Sequence, residues 1–333
     1  MKKNISEQLQ LSENLIINKL LKKLNFKKLG TYNFENDGAY LNISKKYKNV
    51  VTTDTIIENI DFFKKDPPES IAQKLICTNL SDLSAMGSIP KAYTLNLSIT
   101  PSIDIYWLKK FTDRLLILQK KYKIYLLGGD ISKSKELNLT STFFGESEKK
   151  YILSQNKCTL GEDIWVTGNL GNSYLGYKIL KKTKLKITKK HLDYFVKCYH
   201  YPKPCMFGNI AFKYISSASD ISDGFYGDLN KILNNNLGAK LSIKNIPISN
   251  TLKSIIFSNS SIININDILN WGDDYQLIFT SNKKFKNTII KLAKKHHVKL
   301  SNVGSIIKKK GIFDDSMTLI ENIRSFDHFF LKS

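Results

Sequence analysis

Residues Lys74 to Gly87, read as Lys-Leu-Ile-Cys-Thr-Asn-Leu-Ser-Asp-Leu-Ser-Ala-Met-Gly, place apolar side chains at Leu75, Ile76, Leu80, Leu83 and Met86. That spacing predicts an amphipathic helix. Gly87 stands where such a helix would stop, and Pro90 follows at the usual distance. Pro67, Pro68 and Glu69 suit its first turn. Asp82 is the exception in this pattern. It lies seven residues after Leu75 and four before Met86, so it shares their face, and Asn79 borders it. A buried carboxylate needs a partner. That partner is an N–H or a lysine within the fold or, if other acids converge on it, a metal ion.

The chain has 333 residues, 42% hydrophobic and 11% aromatic, which suits two medium domains or one large one, with packed cores. Its net charge of +22 would suit nucleic acid or another polyanion. However, the lysines are scattered among Asn and Ile along the whole length, as an AT-rich genome would impose, so the expectation is no nucleic-acid partner. Four cysteines, Cys77, Cys158, Cys198 and Cys205, form no C-x-x-C pair and read as isolated thiols in a reducing compartment. The first residues lack the apolar core of a signal peptide. No run approaches the roughly 18 apolar residues of a membrane span. A soluble, cytoplasmic protein with no membrane partner is expected.

Along the chain, Leu9 to Leu24 has helical spacing, and Tyr40 to Ile43 reads as a short strand. Asn49 to Ile57 is β-branched and reads as a buried strand, with Asp54 unusual inside it. Ala92 to Ile99 alternates as a strand, and Ile103 to Tyr122 is a long amphipathic helix. Ile124 to Leu127 runs as a strand into a Gly128-Gly129-Asp130 turn, and Leu137 to Gly145 is a further strand. A loop at Glu146 to Lys150 marks the domain boundary, giving domains 1–148 and 149–333. In the second half, strands at 163–168, before Asp223, at 239–243, after Gly272 and at 303–307 alternate with helical patterns. The intermixture predicts an α/β (α+β mixed) class.

Asp37, Asp54, Asp82, Asp130, Asp220 and Asp223 each lie at a strand end, a glycine turn or a helix face beside small polar residues. Ligand sites are commonly built on such positions. Six gathered carboxylates would repel one another unless hard cations intervened, and Mg²⁺ prefers oxygen ligands together with phosphate. Gly129 and Gly224 permit close approach of an anion to the backbone. The pattern points to Mg²⁺-nucleotide phosphoryl transfer. The alternative for each acid alone is a cap or a turn, as in Asp223-Gly224. There is no G-x-x-x-x-G-K-[ST] loop, protein-kinase catalytic loop, H-E-x-x-H or G-x-S-x-G.

At these residues the chain resembles the thiamine-monophosphate kinase family, within the superfamily of aminoimidazole ribonucleotide synthetase. Asn79-Leu-Ser-Asp82-Leu-Ser-Ala-Met-Gly87 is similar to N-L-S-D-[LI]-A-A-M-G, and Thr52-Thr53-Asp54-Thr55 to S-T-D-x. Leu127-Gly-Gly-Asp130 resembles the G-G-D segment, and Val166-Thr-Gly168-x-x-Gly171 resembles V-T-G-x-x-G. Asp220-Ile-Ser-Asp223-Gly224 matches D-x-S-D-G, Gly272-Asp-Asp-Tyr-Gln-Leu resembles G-E-D-Y-E-L, and Phe326-Asp-His-Phe329 resembles Y-D-H-F. The motifs run in family order from about Phe34 to Phe329.

The resemblance implies transfer of the ATP γ-phosphoryl group to thiamine monophosphate, giving thiamine diphosphate, the last step of that cofactor's biosynthesis. It implies several Mg²⁺ ions and no catalytic residue beyond their ligands. Carried over, Asp37, Thr52, Thr53, Asp54, Asp82, Asp130, Asp220 and Asp223 are the metal ligands. Gly129, Asp130 and Ser222 contact ATP, and Asp61, Asp273 and Phe326 lie at the substrate end. The implied architecture is an N-terminal domain that forms a homodimer through its sheet, a C-terminal domain, and a cleft between them. Asn36 replaces an acid, Asp61 a histidine, and Gln155 and Lys133 replace arginines, whose bidentate fork neither reproduces. Asn172 replaces Asp, Asp273 replaces Glu and Phe326 replaces Tyr. These departures motivate two alternatives: a related ATP-dependent enzyme with another acceptor, or a non-catalytic nucleotide or polyanion binder.

Overall fold

The computed structural model describes residues 12–34, 39–42, 44–321 and 323–326. In chain order its helices are α1 (Glu13–Ile16), α2 (Pro68–Ala85), α3 (Ile105–Tyr122), α4 (Asn172–Leu180), α5 (Lys189–His200), α6 (Gly208–Ala211), α7 (Phe225–Ile232), α8 (Asn250–Ser258), α9 (Ile265–Leu269) and α10 (Lys286–Lys295). Its strands are β1 (Tyr47–Ile57), β2 (Ile89–Ile99), β3 (Tyr125–Lys133), β4 (Asn138–Glu148), β5 (Asp163–Thr167), β6 (Ser217–Ile221), β7 (Gly238–Leu241), β8 (Gln276–Ser281), β9 (Leu300–Ile307) and β10 (Gly311–Phe313). The class is mixed α/β, as expected. The residues group into two compact units that interleave in sequence. The first draws on Met1–Asn42, Thr53–Ile76 and Lys91–Phe143; the second draws on Ile43–Thr52, Cys77–Pro90 and Phe144–Ser333.

Helix α2 forms where the apolar spacing predicts. Pro68 opens it and Glu69 sits in its first turn, where the N-terminal dipole favours an acid. Gly87 ends it at φ 66°. Ser88 donates its N–H to the Leu83 carbonyl (2.7 Å) and Gly87 donates to Ser84 (2.9 Å), the paired bonds of a Schellman stop. The burial differs from that of an amphipathic helix. Ile71, Leu75, Ile76, Leu80 and Leu83 are buried, and so are Ser70, Gln73, Lys74, Asn79, Ser81 and Ser84. A helix buried all round must satisfy its polar side chains internally, and Ser84 does so by donating to the Cys205 carbonyl at 2.6 Å.

Most residues of the four-stranded sheet, in order β1-β4-β2-β3, belong to the first unit. In β4 every second residue is buried, the period of a strand with one covered face. Helix α3 starts at Asp104, whose carboxylate accepts the Trp107 N–H at 2.7 Å. Gly128, Gly129 and Asp130 do not form a turn. They continue β3, parallel to β2, with a register shift at Tyr93/Thr94. The reason is proximity: a Cβ on Gly129 would lie 1.8 Å from the Leu95 carbonyl oxygen, so glycine lets the two strands close up. Residues 39–42 form no strand either; their neighbour contact is the Tyr40 N–H to the Gly30 carbonyl at 3.0 Å. The helix read from Leu9 breaks into α1, a π turn at Ile17–Leu21 and a 3₁₀ turn at Lys22–Asn25. That path buries Ile16, Leu20, Leu21 and Leu24. Residues 9–11 lie outside the described part.

In the second unit six strands run in the order β10-β7-β9-β5-β8-β6. Strand β5 pairs antiparallel with both β8 and β9, β6 with β8 and β7 with β9, while β10 lies parallel to β7. Strand β5 is buried at every position because side chains from its two faces enter two cores. Ile164 and Val166 pack with Leu175, Phe195, Phe225 and Leu229. Trp165 packs on the other face with Phe207, Ala218, Phe279 and Ile289. Short apolar runs such as Ile-Trp-Val are the signature of a strand covered on both faces. All four cysteines are free thiols. No helix among the described residues is long and apolar enough to cross a membrane.

Candidate functional site

Strand β6 ends at Ile221 and α7 begins at Phe225, so Ser222, Asp223 and Gly224 form the connecting turn. Gly224 has φ 121°, a conformation available mainly to glycine. The turn is held from inside by Asp228, whose side chain is fully buried. Its Oδ2 accepts the N–H groups of Ser222 (3.1 Å) and Asp223 (3.0 Å). Its Oδ1 accepts from the Lys231 ammonium at 2.7 Å, and the same ammonium donates to Asp223 Oδ2 at 2.6 Å. Burial pushes the Asp228 carboxyl up to about 6 against the pull of Lys231. Burial also works against the Lys231 charge, but attraction to Asp228 and the hydrogen bonds to Asp223 and Asp228 outweigh it and hold its pKa high.

Next to this turn the second unit brings together Asp82, Asp220 and Thr52. Thr52 donates its hydroxyl to Asp82 Oδ2 at 2.5 Å. Asp220 is 7% exposed. Its carboxyl is pushed well above the ordinary range, first by burial, then by repulsion from Asp82 and Asp228, with a Ser81 hydroxyl hydrogen bond and the Lys231 charge opposing. Asp220 Oδ2 is a buried oxygen with no hydrogen-bond partner. Such an atom is costly unless something outside the chain binds it. The arrangement gathers hard oxygen donors, and the Lys231 charge acts on Asp220 among them. No three His, Cys, Asp or Glu side chains among the described residues form a ready metal cage.

The loop before β8 interlocks with the same turn. Asp273 donates its N–H to the Ser222 carbonyl and Tyr275 donates to Ile221, both at 2.9 Å. A Cβ on Gly272 would stand 1.5 Å from the Ser222 oxygen. Asp273 and Tyr275 both have positive φ, 62° and 50°, and the Tyr275 hydroxyl donates to Asp273 Oδ1 at 2.8 Å. Strained non-glycine residues of this kind cluster at functional loops. Asp274 turns the other way. Both its oxygens lie 3.0 Å from the Gly171 N–H, at the residue that precedes α4. Burial raises its carboxyl well above the usual range, opposed by that bond and reinforced by Asp273. Phe326 donates its N–H to the Asp223 carbonyl at 3.0 Å, so the chain's end also meets the turn.

The other expected residues are distributed as follows. Thr53 and Asp54 lie on β1 and Gly129 and Asp130 on β3, in the first unit. Thr53 donates to the Ser141 carbonyl at 3.3 Å, and Asp130 is exposed. Asp61 serves the turn after β1: its Oδ2 accepts the Ile57 N–H at 2.8 Å, and its carbonyl accepts from Lys74 at 2.7 Å. Gln155 donates to Ser219 Oγ at 3.2 Å, and Lys133 ends β3. Asn36, Asp37 and residues 327–329 lie outside the described part. Asp228, Lys231 and Asp274 are absent from the sequence-derived set. Asp228 left a readable signal, because it shares a helix face with Phe225 and Ile232, both buried.

Residues 35–147 match the family model described as AIR synthase related protein, N-terminal domain. The chain is similar to the thiamine-monophosphate kinase of Buchnera aphidicola subsp. Acyrthosiphon pisum (strain APS), 34% identical over 298 residues, which cover 88% of this chain and 91% of that one. It is 32% identical over 309 residues to the thiamine-monophosphate kinase of Haemophilus influenzae, covering 88% and 90%. Among solved structures, one described as AaThiL complexed with AMPPCP and TMP superposes with a TM-score of 0.76 at 26% identity, over 97% of this chain and all of that one.

Proposed function

Because the chain belongs to the thiamine-monophosphate kinase family, we propose that it transfers the γ-phosphoryl group of ATP to the phosphate of thiamine monophosphate, giving thiamine diphosphate. The observation that carries this reading is Asp220 Oδ2, a buried oxygen without a hydrogen bond, in a carboxyl that Asp82 repels. Those donors fit magnesium better than zinc or iron, since all are hard oxygens. Magnesium would supply neutralisation of the phosphate oxygens as charge shifts during transfer. We assign Asp37, Thr52, Thr53, Asp54, Asp82, Asp130, Asp220 and Asp223 as its ligands.

The chain's own residues position the reactants. Ser222, whose N–H donates to Asp228 at 3.1 Å, contacts ATP in this reading, as do Gly129 and Asp130. Asp273 and Phe326 bind the acceptor, with Asp61 near it. Transfer is direct and in line, with no covalent enzyme intermediate, so alignment and electrostatics carry the rate. The reading includes a homodimer, a cytoplasmic location, no nucleic-acid or membrane partner, and domains divided near residue 148. The test is to incubate the purified protein with ATP, Mg²⁺ and thiamine monophosphate and measure thiamine diphosphate. Product is expected from the native chain and its loss from Asp82→Asn. No product from the native chain refutes the proposal.

A further inference from the structure

Two side chains of the loop before β8 are tied to each other. The Tyr275 hydroxyl donates to Asp273 Oδ1 at 2.8 Å. Tyr275 is 4% exposed, and both of its backbone groups are engaged. Its N–H donates to the Ile221 carbonyl at 2.9 Å, and its carbonyl accepts the Cys205 N–H at 3.0 Å. Ring and backbone together therefore fix where the hydroxyl stands. Asp273 is half-buried, and its N–H donates to the Ser222 carbonyl at 2.9 Å. Asp274, between the two, turns away to the Gly171 N–H. Asp273 and Tyr275 both hold positive φ, 62° and 50°, a conformation that non-glycine residues adopt at a cost. What that conformation gains is hydroxyl and carboxylate on the same side of the loop, within hydrogen-bond reach. A buried phenol needs a partner for its O–H, and the Asp273 carboxylate provides one.

We propose that Tyr275 is a positioning residue for acceptor binding, holding the Asp273 carboxylate through its hydroxyl in the orientation that meets thiamine monophosphate. This rests on the assignment of Asp273 to the acceptor made above. A carboxylate on a partly exposed loop samples several rotamers, and freedom lost on binding costs affinity. Anchoring Oδ1 removes that freedom before the acceptor arrives. The phenol donates one hydrogen bond and brings no charge, so it orients the carboxylate without neutralising it. Tyr275 acts through Asp273 and not on the reacting atoms.

Binding of thiamine monophosphate is measured by titration calorimetry with Mg²⁺ and AMPPCP present, for the native protein, Tyr275→Phe, Asp273→Gly and the double variant. Phenylalanine keeps the buried ring, and glycine suits φ 62°, so each change removes one side-chain function from an intact fold. AMPPCP affinity and urea unfolding midpoints check that. Tyr275→Phe is expected to weaken thiamine monophosphate binding about tenfold, through loss of a hydrogen bond to a charged group. In turnover it should raise KM for that acceptor more than it lowers kcat. In the Asp273→Gly background the same substitution should cost less than about twofold, because the group it orients is gone. A tyrosine that serves the fold alone would cost the same in both backgrounds. That result overturns the inference, as does native affinity in Tyr275→Phe while Asp273→Gly is weakened, and either leaves Asp273 at the acceptor. Native affinity in Asp273→Gly overturns the assignment of Asp273 and the role of Tyr275 with it. No binding of thiamine monophosphate by the native protein overturns the kinase reading itself.

Discussion

Replacing Asp228 separates what its shape contributes from what its charge contributes. Its Oδ2 accepts two backbone N–H groups, from Ser222 at 3.1 Å and Asp223 at 3.0 Å. Asparagine can put its carbonyl oxygen in that position and keep both bonds, while its amide N–H group then faces the Lys231 ammonium, whose side chain is 36% exposed and can turn to solvent. An ion pair that exposed is worth about 1 kcal/mol or less. Asparagine also removes the cost of burying a carboxylate that burial pushes up to about 6, so the two effects oppose. Asp228→Asn should lie within about 1 kcal/mol of the native protein. Alanine relieves the same burial cost but leaves two partly buried N–H groups without an acceptor, at about 1 kcal/mol each. Asp228→Ala should therefore be about 2 kcal/mol less stable than Asp228→Asn, roughly a 30-fold shift in the folding equilibrium. Urea unfolding followed by tryptophan fluorescence measures this, since Trp165 and Trp271 both lie in the second unit. AMPPCP affinity should fall in the alanine variant more than in the asparagine variant. Alanine and asparagine variants of equal stability would refute the idea that Asp228 acts through the backbone of the turn.

Gly272→Ala should destabilise by about 2 kcal/mol and weaken AMPPCP binding, because its Cβ would meet the Ser222 oxygen at 1.5 Å; unfolding midpoints and a binding titration check it. Asp274 has a folded-state pKa raised by burial, so its protonation favours the fold. Stability from this group rises as pH falls through the raised value and levels off below the unfolded value of about 3.9, and Asp274→Asn should remove that rise from a pH series of unfolding midpoints. Ser249→Ala removes the hydroxyl that accepts the Leu252 N–H at the start of α8, at 3.2 Å, and should cost about 1 kcal/mol by urea unfolding.

Much of this was legible because local rules and tertiary packing agree. The spacing of Leu75, Leu80 and Leu83 gave α2 and its glycine stop, and residues 163–168 read as the strand that β5 forms. Asp82 stood out as an acid on an apolar face. The same test finds Asp228, three residues after Phe225 and four before Ile232, both buried. The Lys231 bond to Asp228 follows helical spacing, but its bond to Asp223 and the Asp274 bond were hidden for another reason. One reaches an acid eight residues back, and the other reaches an N–H 103 residues away, and no periodicity encodes such distances. Gly128-Gly129 misled because glycine serves a tight turn and a close pair of strands alike. Only Leu95, on a neighbouring strand, decides between them.

The interleaving of the two units limits how this chain can be dissected. Helix α2 begins among residues of one and ends among residues of the other. A fragment starting at 149 would therefore lack the Cys77–Pro90 segment, and with it Asp82 and the Ser84 bond to Cys205. Asp220 would have lost the carboxylate neighbour that helps to raise its own carboxyl. Truncations meant to isolate nucleotide binding would report on a different molecule, whereas point substitutions in the intact polypeptide would not.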